Sequence, residues 1–269
     1  MKRWGVIVLT VGLIFTGGLS IYLIGKRGTQ LSQTKREDVF SLAREAEEAL
    51  AKGELIKARK VFKRILEETT DVKKIEEVRK KLEEINIKIL FSPIIDECSR
   101  EYVVKPNDTL IKIAKRFNTT VELIKRANGL TSDIIKPAQR LKVNVCKFSL
   151  VIDKSQNCLF LKRNNEVIKT YIVATGKDNS TPTGKFKIVN KIKNPTWFKT
   201  GAVIPPDSPQ NILGSRWLGL DIKGYGIHGT KEPDNLGKQI TLGCIRMANQ
   251  DVEELYDILP LGTEVIIVE

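Results

Sequence analysis

The sequence predicts a multidomain chain: an N-terminal transmembrane helix, an α-helical hairpin segment, a small α+β unit of β-α-α-β order, and a mainly-β C-terminal domain. Three observations carry this. An uncharged run from Trp4 to Gly25 stands between Lys2-Arg3 and Lys26-Arg27. Hydrophobic periodicity is helical over 37–92 and changes to period two from Ser149. Glycines and prolines then cluster between Gly176 and Gly262, as turn-rich β structure requires.

As a helix, the first run is long enough to cross a bilayer core of about 30 Å, so residues 4–25 read as a membrane anchor. A cleaved signal peptide is the alternative, but its apolar region spans only about 7–15 residues and is followed by a small-x-small site, which is missing here. Positive charge flanks both ends, so the anchor alone does not set its orientation. The formal charge of +13 is uneven, its excess concentrated in residues 99–148. Such a basic face suits an anionic polymer or surface, or is a solvated face. No basic run is interleaved with aromatics, so nucleic acid is not an expected partner.

Residues 37–92 are rich in Glu, Lys, Leu and Ala and contain no proline. Ala46, Ala49, Gly53, Ala58, Phe62 and Ile65 have a spacing that resembles one tetratricopeptide unit, two helices folded back near Gly53. One unit cannot bury both faces, and "VKKIEEVRKKLEEINIKIL" is expected to supply a covering third helix. The segment reads equally as a spacer or as a site for a protein partner.

In residues 100–146, a β run at Tyr102–Val104 leads to Asp108-Thr109 as a helix cap, with Leu110, Ile113, Ala114 and Phe117 at helical spacing. A second helix is expected over Val121–Ala127 and a closing strand over Arg140–Val143. "YVV", "NDTL", "IAKRF", "LIKRANGL" and "IKPAQRL" stand in the order and spacing of a LysM domain, which the unit resembles. Asn107 and Ala138 depart from that family at positions where glycine is common. The resemblance implies an N-acetylglucosamine-containing glycan as ligand. Cys98 and Cys146 bracket the unit outside strands that should pair, so a disulfide is the favoured expectation, with two free thiols as the alternative.

Residues 149–269 begin with three β runs separated by "KSQN" and "RNNE", and end with a short helix near Val252, Leu255, Tyr256 and Leu259 and the strand "EVIIVE". Cys158 alternates with Leu159 and reads as a small core residue. The chain's single histidine, His228, lies shortly before Cys244. An imidazole beside a thiol can take its proton and stabilise the thiolate. Taken alone, a lone cysteine is more often a buried apolar residue than a nucleophile, and a lone histidine more often a structural one.

"GYGIHGT" and "TLGCIRM", preceded by "STPTGKF" and "NPTWF", resemble the signature of the L,D-transpeptidase family with its YkuD-type catalytic domain. The resemblance implies Cys244 as nucleophile, His228 as general base, and the Gly229 carbonyl as the group that orients the imidazole. It implies backbone N–H groups of Gly243 and Cys244 as an oxyanion hole, and Arg246, Thr241, Tyr225 and Trp197 as substrate contacts. Leu242 departs from the family, many members of which carry a second histidine there.

The implied reaction is acyl transfer from a peptidoglycan tetrapeptide stem, releasing D-alanine and forming a 3→3 crosslink, with no metal and no organic cofactor. Its substrate lies outside the cytoplasmic membrane, which places the N-terminus inside and the rest of a single-pass chain in the periplasm or wall. Transfer to water would make the protein an L,D-carboxypeptidase, and loss of activity would leave a peptidoglycan-binding anchor protein. A protein-cleaving cysteine protease would need an Asn or Asp to orient the imidazole, and the nearest, Asp234 and Asn235, lie in a polar loop.

Overall fold

The computed structural model describes residues 38–199 and 201–269, in two compact units, one ending at Leu82 and the other running from Glu83 to Glu269. The expected anchor over 4–25 lies outside the described residues. Among the described residues, no helix is long and apolar enough to cross a membrane.

In the first unit, helix α1 (38–51) and α2 (Leu55–Glu68) are joined at Gly53, whose φ of +72° strains any residue with a Cβ. Ala46, Ala49, Ala58, Phe62 and Ile65 are all buried. α3 (Val72–Leu90) starts at Asp71, whose carboxylate accepts from the Lys73 and Lys74 N–H groups at 3.0 and 3.2 Å. Past Leu82 this helix belongs to the second unit. There Asn86 Nδ2 donates to the Ile168 carbonyl at 3.2 Å, and Leu90 enters the core of the C-terminal domain.

The second unit opens with the expected β-α-α-β order: β1 (Ser99–Val103), α4 (Leu110–Phe117), α5 (Val121–Ala127) and β2 (Arg140–Asn144). Thr109 and Thr120 cap the two helices, accepting from Lys112 N–H and Leu123 N–H. Leu110, Ile113, Ile124, Leu141 and Val143 form the local core. Asn107 and Ala138 hold φ of 66° and 68°, so the left-handed turns persist although glycine is gone. Antiparallel pairing sets Ser99 opposite Asn144, and the neighbouring Cys98 and Cys146 are joined by a disulfide with Cα atoms 5.0 Å apart.

This small unit is docked on the C-terminal domain. Leu123 enters the larger core, the Thr120 hydroxyl donates to the Asp257 carbonyl, and Arg126 pairs with the Asp257 carboxylate at 2.9 Å. The Arg126 guanidinium also lies 3.4 Å from the centroid of the Phe91 ring. Buried Lys142 donates to the Ile89 and Ser92 carbonyls at 2.5 and 2.9 Å, which closes the end of α3.

In the C-terminal domain, β3 (Phe148–Asp153), β4 (Cys158–Arg163), β5 (Glu166–Gly176), β6 (Gly184–Lys193), β9 (Arg216–Leu220), β10 (Gly226–His228), β11 (Gln239–Thr241), β12 (Ile245–Met247) and β13 (Glu264–Val268) make one nine-stranded sheet. Its order is β11-β5-β12-β10-β9-β6-β13-β3-β4, and β4 also pairs with β5, so the sheet closes on itself. A separate hairpin, β7 (Trp197–Lys199) with β8 (Ala202–Ile204), leaves Phe198 and Val203 exposed. Helix α6 (Asn249–Ile258) packs Val252, Leu255 and Ile258 into the core.

One expectation is corrected. On β4 the core positions are Leu159, Leu161 and Arg163, so Cys158 lies on the opposite, half-buried side and is no core residue.

Candidate active site

The site forms because β10 and β12 lie parallel with His228 opposite Arg246, so Cys244, just before β12, falls near the start of β10. On the other side of β10, His228 faces Trp217 of β9, and their rings stack with centroids 5.9 Å apart and planes at 18°. A Cβ on Gly226 would come within 2.5 Å of the Trp217 ring, so only glycine lets β10 lie this close to the indole.

His228 is 2 % exposed, and its Nδ1 lies 2.7 Å from the Gly229 carbonyl oxygen. A carbonyl only accepts, so Nδ1 carries the proton and Nε2 is left as the basic nitrogen. Burial pushes the imidazole pKa down to about 4, against the Gly229 and Leu213 carbonyls, which raise it; Arg246 lowers it further. Burial also raises the Cys244 thiol, while a Gly226 N–H and the Arg246 charge favour its thiolate. At neutral pH the resting pair is therefore a thiol and a neutral imidazole.

The turn that presents Cys244 is held by two threonines. The Thr241 hydroxyl donates to the Cys244 carbonyl at 2.6 Å and accepts the Gly243 N–H at 3.1 Å. Thr181, which opens the "TPTGKF" run, donates to the Gly243 carbonyl at 2.8 Å and accepts the Gly176 N–H at 2.7 Å. Gly243 has φ of +127°, and a Cβ there would meet the Tyr225 ring at 2.6 Å.

The Gly243 N–H is thus donated to the Thr241 hydroxyl, and Thr241 itself lines the cleft beside Cys244. Tyr225 packs against Gly243.

Cys244 and His228 open into one cleft of about 580 Å³, whose walls include Trp197, Phe198, Trp217 and Leu242. Among the described residues, its one charged lining residue is Arg246, with a side chain 12 % exposed and Nη1 3.5 Å from Glu232. The buried Arg246 Nε has no hydrogen-bond partner among the described residues. Leu242, 95 % exposed, stands at the lip of the cleft. Cys244, His228, Arg246, Trp197 and Thr241 line the cleft, and the Gly229 carbonyl meets the His228 ring. Trp217 and Thr181 were not anticipated. The quoted "TPTGKF" run already contained Thr181, but only the fold shows which turn it braces.

A mainly-β domain whose cysteine shares a cleft with a carbonyl-oriented histidine defines a cysteine–histidine site. Residues 147–267 match the family described as L,D-transpeptidase catalytic domain, and residues 102–144 match the LysM domain. YqjB of Bacillus subtilis (strain 168) is 42% identical over 126 residues, which cover 45% of this chain and 70% of that protein. YkuD of the same strain is 38% identical over 174 residues, covering 62% of this chain and 97% of that protein. YkuD of Bacillus licheniformis is 36% identical over 174 residues with the same two coverages, 62% and 97%. All three carry provisional L,D-transpeptidase names. The chain belongs to the L,D-transpeptidase family and carries a LysM domain before its catalytic domain, a pairing that indicates peptidoglycan as what it binds.

Proposed function

We propose that the protein is a cell-wall L,D-transpeptidase that forms 3→3 crosslinks through a Cys244 thioester. The observation that carries this reading is the fixed tautomer of His228, whose Nδ1 is committed to the Gly229 carbonyl at 2.7 Å while the ring opens on the cleft that holds Cys244. As Sγ attacks the carbonyl carbon of the L,D-amide, its proton passes to Nε2 of His228 and from there to the departing D-alanine amine. An amine of a second stem then attacks the thioester, gives its proton to His228, and restores the thiol. The Cys244 N–H is the donor proposed for the oxyanion. Arg246, the charged group on the cleft wall, is proposed to meet a stem carboxylate.

The LysM unit would hold a glycan strand beside this site, and the helical segment would carry both away from an N-terminal anchor over 4–25, with the N-terminus inside. Incubation of the full chain with purified peptidoglycan, followed by mass spectrometry of the muropeptides, tests the reading. Dimers linked 3→3 with release of D-alanine support it. Trimmed stems without dimers identify an L,D-carboxypeptidase, and unchanged muropeptides leave a binding protein.

A further inference from the structure

We infer that Asn249 is a positioning residue for the imidazole: its side-chain amide ties together the two backbone segments whose carbonyls face His228. This rests on the pairing of His228 with Cys244 proposed above. In a site where a carboxylate orients the histidine, the orienting group is a side chain fixed by its own rotamer. Here it is the Gly229 peptide, so whatever fixes that peptide fixes the ring.

Asn249 Nδ2 donates to the Thr230 carbonyl at 2.9 Å, and Oδ1 accepts the Ser215 N–H at 3.0 Å. The two partners determine which end of the amide is nitrogen, because one can only accept and the other only donate. Thr230 follows the glycine whose carbonyl holds Nδ1, and Ser215 lies two residues after Leu213, the second carbonyl acting on the ring.

The fit around the amide is close. A Cβ on Gly229 would come within 2.1 Å of Asn249 Oδ1, and one on Gly214 within 2.3 Å of the same atom and 2.6 Å of the Gly229 carbonyl carbon. Both positions therefore need glycine so that the amide can lie between the two strands of backbone. Asn249 is the first residue of α6 and follows β12 closely, so the clamp is anchored on the segment that also presents Cys244. Losing the amide leaves the Thr230 carbonyl and the Ser215 N–H without these partners.

Asn249→Ala and Asn249→Asp in the full chain, in a Cys158→Ser background so that Cys244 is the one free thiol, test the inference. Three quantities are read: kcat and KM for transpeptidation, the pH dependence of Cys244 alkylation by iodoacetamide, and the thermal midpoint as a folding control. For Asn249→Ala we expect kcat to fall about 10- to 100-fold, the range typical of lost outer support. KM should stay within about twofold, and the alkylation profile should move to higher pH as the imidazole loses its orientation. The isosteric Asn249→Asp keeps the acceptor for Ser215 and loses the donor to Thr230, so its profile should fall between the other two.

A folded Asn249→Ala protein with wild-type kcat and alkylation profile overturns the inference. If that variant does not fold, a wild-type profile in Asn249→Asp does so. Alkylation needs no stem peptide, so a shifted profile in a protein that shows no transpeptidation would uphold the role of Asn249 and reject the proposed reaction instead.

Discussion

Burial keeps His228 neutral, and this links the fold to pH. Its folded pKa of about 4 lies below the ordinary value of 6.5, so between these limits the unfolded chain binds the extra proton. The stability contributed by neutral His228 is complete above pH 6.5 and is lost as pH falls toward 4, on the order of 3 kcal/mol in all. Urea titrations across this interval should show that loss, and His228→Gln should remove the histidine's share of it; an unchanged slope in the variant would contradict the assignment. A second prediction lies at Ala138, held at φ of 68°. Ala138→Gly should raise stability by about 1 kcal/mol, because a Cβ is strained there; a lower denaturation midpoint would refute this. The pair His228 and Cys244 was legible because both residue types are rare in the chain and sit inside recognisable motifs. The bond from the Gly243 N–H to the Thr241 side chain was not legible, because it exists only once the turn is formed.

Helices α4 and α5 were readable to within a residue, since Asp108-Thr109 marks the start of α4 and apolar spacing marks both helices. β4 was readable as a strand, but not the side on which Cys158 would lie. Alternation assigns opposite faces to Cys158 and Leu159 without naming the one that is buried. The pairing of β1 with β2 brings the LysM termini together, and the Cys98–Cys146 bridge closes a loop with a sequence separation of 48. In the chain-entropy model such a bridge contributes roughly 4 kcal/mol. Cys98→Ser with Cys146→Ser should therefore lower the stability of the LysM unit by about that amount. Equal unfolding midpoints with and without the bridge would show that the docked helices already supply the constraint.

Across the whole molecule, the part least legible in sequence is the docking of the LysM unit. Its contacts join residues far apart in the chain, such as Thr120 and Arg126 with Asp257, and no local pattern foretells them. Because Leu123 and Leu90 share the core of the C-terminal domain, the LysM and catalytic domains should unfold together. Hydrogen exchange on heating should release β2 and β13 in the same step, whereas earlier release of β2 would mean independent domains. The central claim, that Cys244 carries the acyl group, is tested most directly by rapid quenching of the full chain with a disaccharide-tetrapeptide, followed by intact-mass and peptide mapping. The account predicts an adduct on Cys244 smaller than the substrate by the departed D-alanine, absent in Cys244→Ala and greatly slowed in His228→Ala. Release of D-alanine by Cys244→Ala, or wild-type turnover with no adduct at any time point, would contradict it.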